Sequence, residues 1–290
     1  MDKAFWQGIL EAKGGLPAGH DLHALTDELL SYLGSPDPNL RDGVAYPLLA
    51  QWASEGHYNH DDLRAMARQL TANLQIGLGE DGTESVFLRA FSALMLAELI
   101  HQENKRSIFE FEEADVRAIL EAALAYLPAE RDLRGYIPGL GWAHTVAHTS
   151  DLLWVLASSR YLVAPDLERI LDAIASKVAP PVEHIYLFNE DTRMARAVLG
   201  ALRRNLISLP FLSGWLDRLA CPEGRAISIE AFFVGEPPAI ASRANVCLLH
   251  NTRQFLRSLY FALAAEEQPP TVAVDFTALL LEALKPMNEA

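Results

Sequence analysis

Apolar residues recur at steps of three and four almost everywhere along this chain, and that spacing constrains the fold more than any other feature. Leu63, Met66, Leu70 and Leu74 make one stripe, and Leu167, Ile170, Leu171, Ile174 and Val178 make another. Side chains so spaced share one face of a helix. Period-two alternation, the mark of a half-buried strand, is confined to one serious candidate, residues 226–234. The chain therefore reads as all-α.

The punctuation agrees with this reading. Asp37 before Pro38, Asp81 with Glu84 three residues on, and Asn189 ahead of Thr192 are helix-start signals, because a short polar side chain satisfies amide groups that the first turn leaves unbonded. The pattern predicts helices over 2–13, 20–33, 38–54, 60–76, 83–103, 112–127, 141–161, 165–179, 190–205, 208–220, 243–265 and 271–285. Short connections make neighbours antiparallel hairpins: 20–33 with 38–54, 60–76 with 83–103, 112–127 with 141–161, 165–179 with 190–205, and 208–220 with 243–265. Hairpins at that period predict an α-α superhelix of the HEAT or armadillo kind, in which units bury their apolar faces by stacking. A closed α/α toroid is the second choice. No Gly-, Ser- or Pro-rich linker divides the chain, so one domain over 1–290 is expected.

Composition narrows the class of function. The apolar runs break well before the roughly 18 positions that a membrane span requires, and the first residues lack a signal-peptide pattern, so a cytoplasmic location is expected. Thirty-eight acidic side chains against twenty-four basic ones give a net charge of −14. That charge opposes binding to a phosphate backbone or to anionic lipid, so neither nucleic acid nor membrane is expected as a partner. Cys221 and Cys247 read as buried free thiols, since a chain of this length has core enough without a staple.

The segment Arg134 to Asp151 asks for a chemical explanation. On a helix beginning at Gly141, His144, His148 and Asp151 stand at i, i+4 and i+7 and converge on one face. Two histidines so spaced can ligate a divalent metal such as zinc, manganese or iron, with Asp151 as third ligand or base. Glu183, His184 and His250 are other sources of a third ligand. The HExxH arrangement is incomplete, because Thr145 stands where its glutamate belongs. The preferred reading is a hydrogen-bonded polar cluster in a groove. Gly135, Gly139 and Gly141 allow close backbone approach, and Arg134, Tyr136 and Trp142 supply a cation and aromatic surface. Asp132 and Arg134 can also pair locally. Arg89 lies in an apolar helix and needs a partner, either a carboxylate such as Asp42 or the groove itself. Two long connections, Pro128 to Gly141 and Pro222 to Ser242, are placed to roof such a pocket. There is no G-x-S-x-G elbow, Walker loop, dinucleotide fingerprint or CxxC pair. Residues 77–82 read as a helix cap running into the next helix start.

The residues Gly77-Leu78-Gly79, Ser85 to Leu94, Arg134-Gly135-Tyr136 and Gly141-Trp142-Ala143-His144 through His148 and Asp151 resemble a bacterial family, domain-of-unknown-function family 2785. The resemblance singles out Arg89, Arg134, Gly135, Tyr136, Gly141, Trp142, His144, His148 and Asp151. It implies a helical-repeat protein and supplies no substrate. The function expected is binding of a small polar ligand or a peptide in a groove formed by Arg89, Arg134, Tyr136, Trp142, His144, His148 and Asp151. A metal-dependent hydrolase using His144 and His148 is the alternative, and an interaction scaffold for another protein is the third reading.

Overall fold

The structure is a computed structural model that describes residues 1–105, 111–220 and 243–288. The expected strand at 226–234, the loop 222–242 and Cys221 lie outside those residues. The chain is mostly helical, and among the described residues the only sheet is the two-stranded hairpin of β1 (Tyr136–Ile137) and β2 (Gly141–Trp142). All-α is the right class.

The helices are α1 (Lys3–Glu11), α2 (Leu22–Tyr32), α3 (Pro38–Leu40), α4 (Tyr46–Glu55), α5 (His60–Asn73), α6 (Ser85–Lys105), α7 (Glu113–Ala129) and α8 (Thr145–Ala157), followed by α9 (Ala164–Val178), α10 (Glu190–Leu202), α11 (Leu209–Ala220), α12 (Arg243–Ala264) and α13 (Ala273–Asn288). Most fall within a few residues of the expected ranges. The largest departure is the expected helix 141–161, which begins four residues late because residues 141–142 pair with 136–137. The 38–54 helix is also interrupted, passing through a π-helical turn at Arg41–Ala45.

By its internal contacts the chain divides into two compact units, Met1–Leu156 and Ala157–Ala290. In the first, α6 is apolar on nearly every side and runs through the core, burying Val86, Phe87, Phe91, Met95, Leu96, Leu99 and Ile100. Such a helix belongs inside a domain rather than on its surface. It packs on α4, α5 and α7. The stripe Leu63, Met66, Leu70 and Leu74 is buried, as its spacing predicts. Trp6 and Trp52 are fully buried, and each finds a partner for its indole N–H, Glu28 at 3.2 Å and the Gly14 carbonyl at 2.7 Å.

In the second unit α12 packs most extensively on α10 and α13, while α11 packs on α13 and α9. The expected pairing of 208–220 with 243–265 therefore gives way to one in which α13 fills the place beside α11. The stripe Leu167, Ile170, Leu171, Ile174 and Val178 is buried, and Trp215 donates to the Leu171 carbonyl at 2.8 Å. Cys247 is a buried free thiol. No helix among the described residues is long and apolar enough to cross a membrane.

Of the three helix-start signals expected from the sequence, one forms its cap and two do not. Asp37 accepts from the Asn39 amide ahead of Pro38, as expected. Asp81 does not cap α6, which starts at Ser85 after a turn held by the Thr83 and Ser85 hydroxyls on Glu80. Asn189 precedes α10 but sits at φ +67° with no side-chain cap bond.

Candidate functional site

The candidate site lies wholly in the first unit, where the β1–β2 hairpin leads into α8. The hairpin docks on α6 through Ile137 and Leu140, which pack against buried Val86, Phe87 and Ala143. Gly141 stands at φ +76°, and a Cβ there would lie 2.8 Å from Pro38 Cβ and 3.0 Å from Arg41 Nη2. Only glycine fits both the backbone and the space.

His144 is not on the helix. It precedes α8 at φ +58°, its amide donating to the Arg134 carbonyl at 3.0 Å, while the Ala143 amide donates to Gly135 at 2.9 Å. The expected i, i+4, i+7 stripe is thereby corrected, since only His148 and Asp151 share α8. The two imidazoles still meet, with centroids 5.5 Å apart and planes near perpendicular. A ladder of rings results. Tyr136 meets Trp142 edge-on at 5.2 Å, Trp142 stacks on His144 at 4.8 Å with planes 20° apart, and His148 meets Phe91 edge-on at 5.1 Å. The ladder runs from exposed to buried: Tyr136 is 48% exposed and Trp142 37%, whereas both histidines are buried. His148 Nδ1 lies 3.2 Å from the Ala90 carbonyl, which orients its ring.

Beneath this ladder lies a network of buried charge. Arg89 is fully buried and makes a two-pronged contact with Glu130, Nε to Oε2 at 2.6 Å and Nη2 to Oε1 at 3.1 Å. Its remaining nitrogen donates to the Ile76 and Gly77 carbonyls and to Ser85 Oγ. Burial works against the Arg89 charge, and the hydrogen bonds and charge of Glu130 outweigh it, so its pKa sits above the ordinary arginine value. The partner is thus Glu130 rather than Asp42, and the guanidinium ties the 77–82 turn to the end of α7 instead of lining a groove.

Arg134 pairs with fully buried Asp132, Nη2 to Oδ2 at 2.6 Å, and reaches the Thr83 carbonyl at 2.8 Å. Hydrogen bonds to Asp132 hold its pKa above the ordinary value. Asp132 also accepts from the Gly82 amide, and its carbonyl accepts from Thr145 Oγ1 at 2.7 Å. The Asp132–Arg134 pair therefore fixes both ends of the hairpin segment. Asp151 is buried on α8.

One residue that the sequence reading passed over adjoins the site. Arg41, in the π-helical turn, is fully buried, with its guanidinium carbon 4.0 Å from the Phe87 ring centre and 5.0 Å from that of Phe91. It donates to the Ser35 and Leu140 carbonyls, each at 2.6 Å, and lies 2.8 Å from Asp42. Burial lowers the Arg41 pKa and raises that of Asp42, each against the pull of the other. Desolvation is stronger here than the ion pair. No periodicity marks Arg41, and the Asp37-Pro38 cap a turn earlier is the only nearby signal.

Among the described residues no group of three or more His, Cys, Asp or Glu side chains is disposed to hold a metal ion. His144, His148 and Asp151 therefore do not make a three-ligand set. Glu183, His184 and His250 belong to the second unit, where Asn251 receives the Tyr186 amide at 3.1 Å and donates to the His184 carbonyl at 2.9 Å.

A family described as protein of unknown function (DUF2785) matches residues 74–261. The chain belongs to this family. The DUF2785 match takes in Arg89, Glu130, the hairpin, both histidines and Asp151, and it begins after Arg41, Asp42 and the whole of α5. No curated protein and no solved structure matches the chain.

Proposed function

We propose that the hairpin and the start of α8 form a recognition site for a small polar ligand or a peptide segment, with Tyr136 and Trp142 as the contact face and His144 and His148 as imidazoles behind it. One observation carries the reading: His144, a buried residue with a full side chain, is held at φ +58° with its ring stacked on the exposed Trp142. A left-handed backbone at a non-glycine residue costs on the order of 1–3 kcal/mol and persists where the surroundings over-determine it, often at binding sites. Exposed aromatic rings on a fixed support lose little conformational freedom on binding. The reading includes the stack of helix hairpins expected from the sequence, as a scaffold that would present this surface.

The experiment is a melting-temperature screen of amino acids, short peptides and sugars against wild type, Trp142→Ala and His144→Gly. His144→Gly keeps the left-handed backbone at no steric cost and removes the ring. A compound that stabilises wild type and neither variant, with the variants melting near wild type in its absence, supports the site. Variants that unfold outright would leave the cluster a structural staple. About one equivalent of zinc bound by wild type and lost in His144→Ala/His148→Ala would replace this reading with the metal-dependent one.

A further inference from the structure

On α12, in the second unit, the side chains that stay out of the core form a stripe of definite chemistry. Val246, His250, Arg253, Arg257 and Phe261 recur at steps of three and four, so they share one face, about 22 Å long at 1.5 Å per residue. Cys247, Phe255 and Leu259 turn the other way and are buried. The ends of the stripe are apolar and open to solvent, Val246 at 46% exposure and Phe261 at 68%. Its middle is a half-buried run of one imidazole and two guanidiniums.

That middle carries charge without an opposite charge set against it. Elsewhere Arg64, Arg89, Arg134, Arg203 and Arg218 each meet an acidic side chain. Arg253 instead donates to the Met287 carbonyl at 3.2 Å, and Arg257 to Gln254 Oε1 at 3.3 Å and Asn288 Oδ1 at 2.5 Å. All three acceptors are neutral, and neither arginine forms an ion pair among the described residues. Arg253 Nε is buried with no hydrogen bond at all. Like charges four positions apart on a helix repel. Burial, then Arg257, holds the Arg253 pKa below its ordinary value. Burial, then Arg253 and Arg257, does the same to His250, while Asp191, itself bonded to Ser258 Oγ at 2.6 Å, pulls the other way. The carbonyl end of α13 accounts for one cation at most. It does not account for Arg257, which meets only side-chain amides.

Two independent features therefore coincide on one face, unneutralised cations in the middle and exposed apolar side chains at both ends. A segment whose own face runs apolar, acidic, acidic, apolar complements the stripe position by position. We infer that α12 presents a docking surface for an acidic amphipathic helix of a partner protein, with carboxylates on Arg253 and Arg257 and apolar side chains on Val246 and Phe261. Guanidinium and carboxylate pair with direction as well as charge, and arginines and aromatic rings supply much of the energy of protein interfaces. The net charge of −14 repels such a partner at long range, so recognition rests on contact at the stripe and not on steering. The surface is independent of the hairpin reading.

Fluorescence anisotropy of a labelled helical peptide of about 15 residues, with two glutamates four apart between leucines on one face, tests it against the full chain. Its glutamine counterpart is the charge control. Saturable binding of the glutamate peptide is expected, weakened about tenfold by Arg253→Gln/Arg257→Gln and several-fold by Phe261→Ala. Val274→Ala, at an exposed position of α13 away from the stripe, should leave it unchanged. Melting temperatures are read on the same samples, and Phe261→Ala, which removes an exposed ring, keeps the test decisive if the arginine pair loses stability. No binding of the glutamate peptide, equal binding of the glutamine peptide, or indifference to Phe261→Ala would each overturn the assignment. So would self-association of the chain in sedimentation that the same variants abolish, since the occupant would then be a second copy.

Discussion

Replacing Gly141 by alanine tests the close approach on which the hairpin's position rests. The added methyl carries two separable costs. The first is the left-handed backbone at φ +76°, worth about 1–2 kcal/mol for any residue with a Cβ. The second is steric: the new atom would sit 2.8 Å from Pro38 Cβ and 3.0 Å from Arg41 Nη2. Neither neighbour yields easily. The proline ring is rigid at the start of α3, and Arg41 is pinned by two carbonyls and stacked over Phe87. Forcing a methyl into such packing costs about 1–3 kcal/mol more. Gly139 is the control, since it has φ +81° and nothing within 4 Å of its would-be Cβ. Gly139→Ala should therefore cost about 1–2 kcal/mol and Gly141→Ala about 2–5 kcal/mol. Urea titration of both variants, followed by the midpoint at fixed slope, measures the difference. Equal destabilisation would refute the argument that Gly141 is required by contact with Pro38 and Arg41 rather than by its backbone angle.

Removing the counter-charge of Arg89 should be more damaging than any surface change. Glu130→Ala leaves a fully buried guanidinium without its carboxylate, and a loss of about 3–5 kcal/mol by chemical denaturation is expected; a loss below about 1 kcal/mol would mean that the carbonyl contacts alone satisfy it. Glu190 should show a pH effect of definite sign. Burial, against its backbone hydrogen bonds, raises its pKa in the folded protein, so the native state holds the proton to higher pH than the unfolded chain. Stability then falls as pH rises through the window between the unfolded and folded values, and Glu190→Gln should flatten that fall and exceed wild type at neutral pH. Parallel stability–pH curves for the two proteins would contradict it.

Much of the helical architecture was legible because burial enforces a three-to-four spacing that single residues cannot disguise. Leu63, Met66, Leu70 and Leu74 announce α5 by themselves. The late start of α8 was not legible, because Gly141 and His144 both adopt left-handed backbone for reasons that lie elsewhere in the fold. Those reasons are the Pro38–Arg41 surface and the carbonyls of Arg134 and Gly135. Partner choice was hidden for the same cause. Arg89 was visibly a charge in need of a carboxylate, yet Glu130 lies 41 positions away at the end of another helix, and no local pattern prefers it to Asp42. Arg41 escaped notice because its burial depends on a π-helical turn, a geometry without a reliable residue signature.

The buried network and the ring ladder therefore call for different explanations, although they share one hairpin. The Arg89–Glu130 and Asp132–Arg134 contacts hold the 77–82 turn, the end of α7 and the hairpin segment together, and their geometry is accounted for by stability alone. Stability does not account for Tyr136 and Trp142. Each forgoes part of the roughly 1.5–3 kcal/mol that burying a large apolar side chain contributes, and the second rests on a histidine held in a backbone conformation that itself costs energy. Singly exposed aromatics are ordinary on protein surfaces. Two in contact, on a strained support and above a pair of imidazoles, are what the proposed recognition surface would present, and a staple could be built more stably without them.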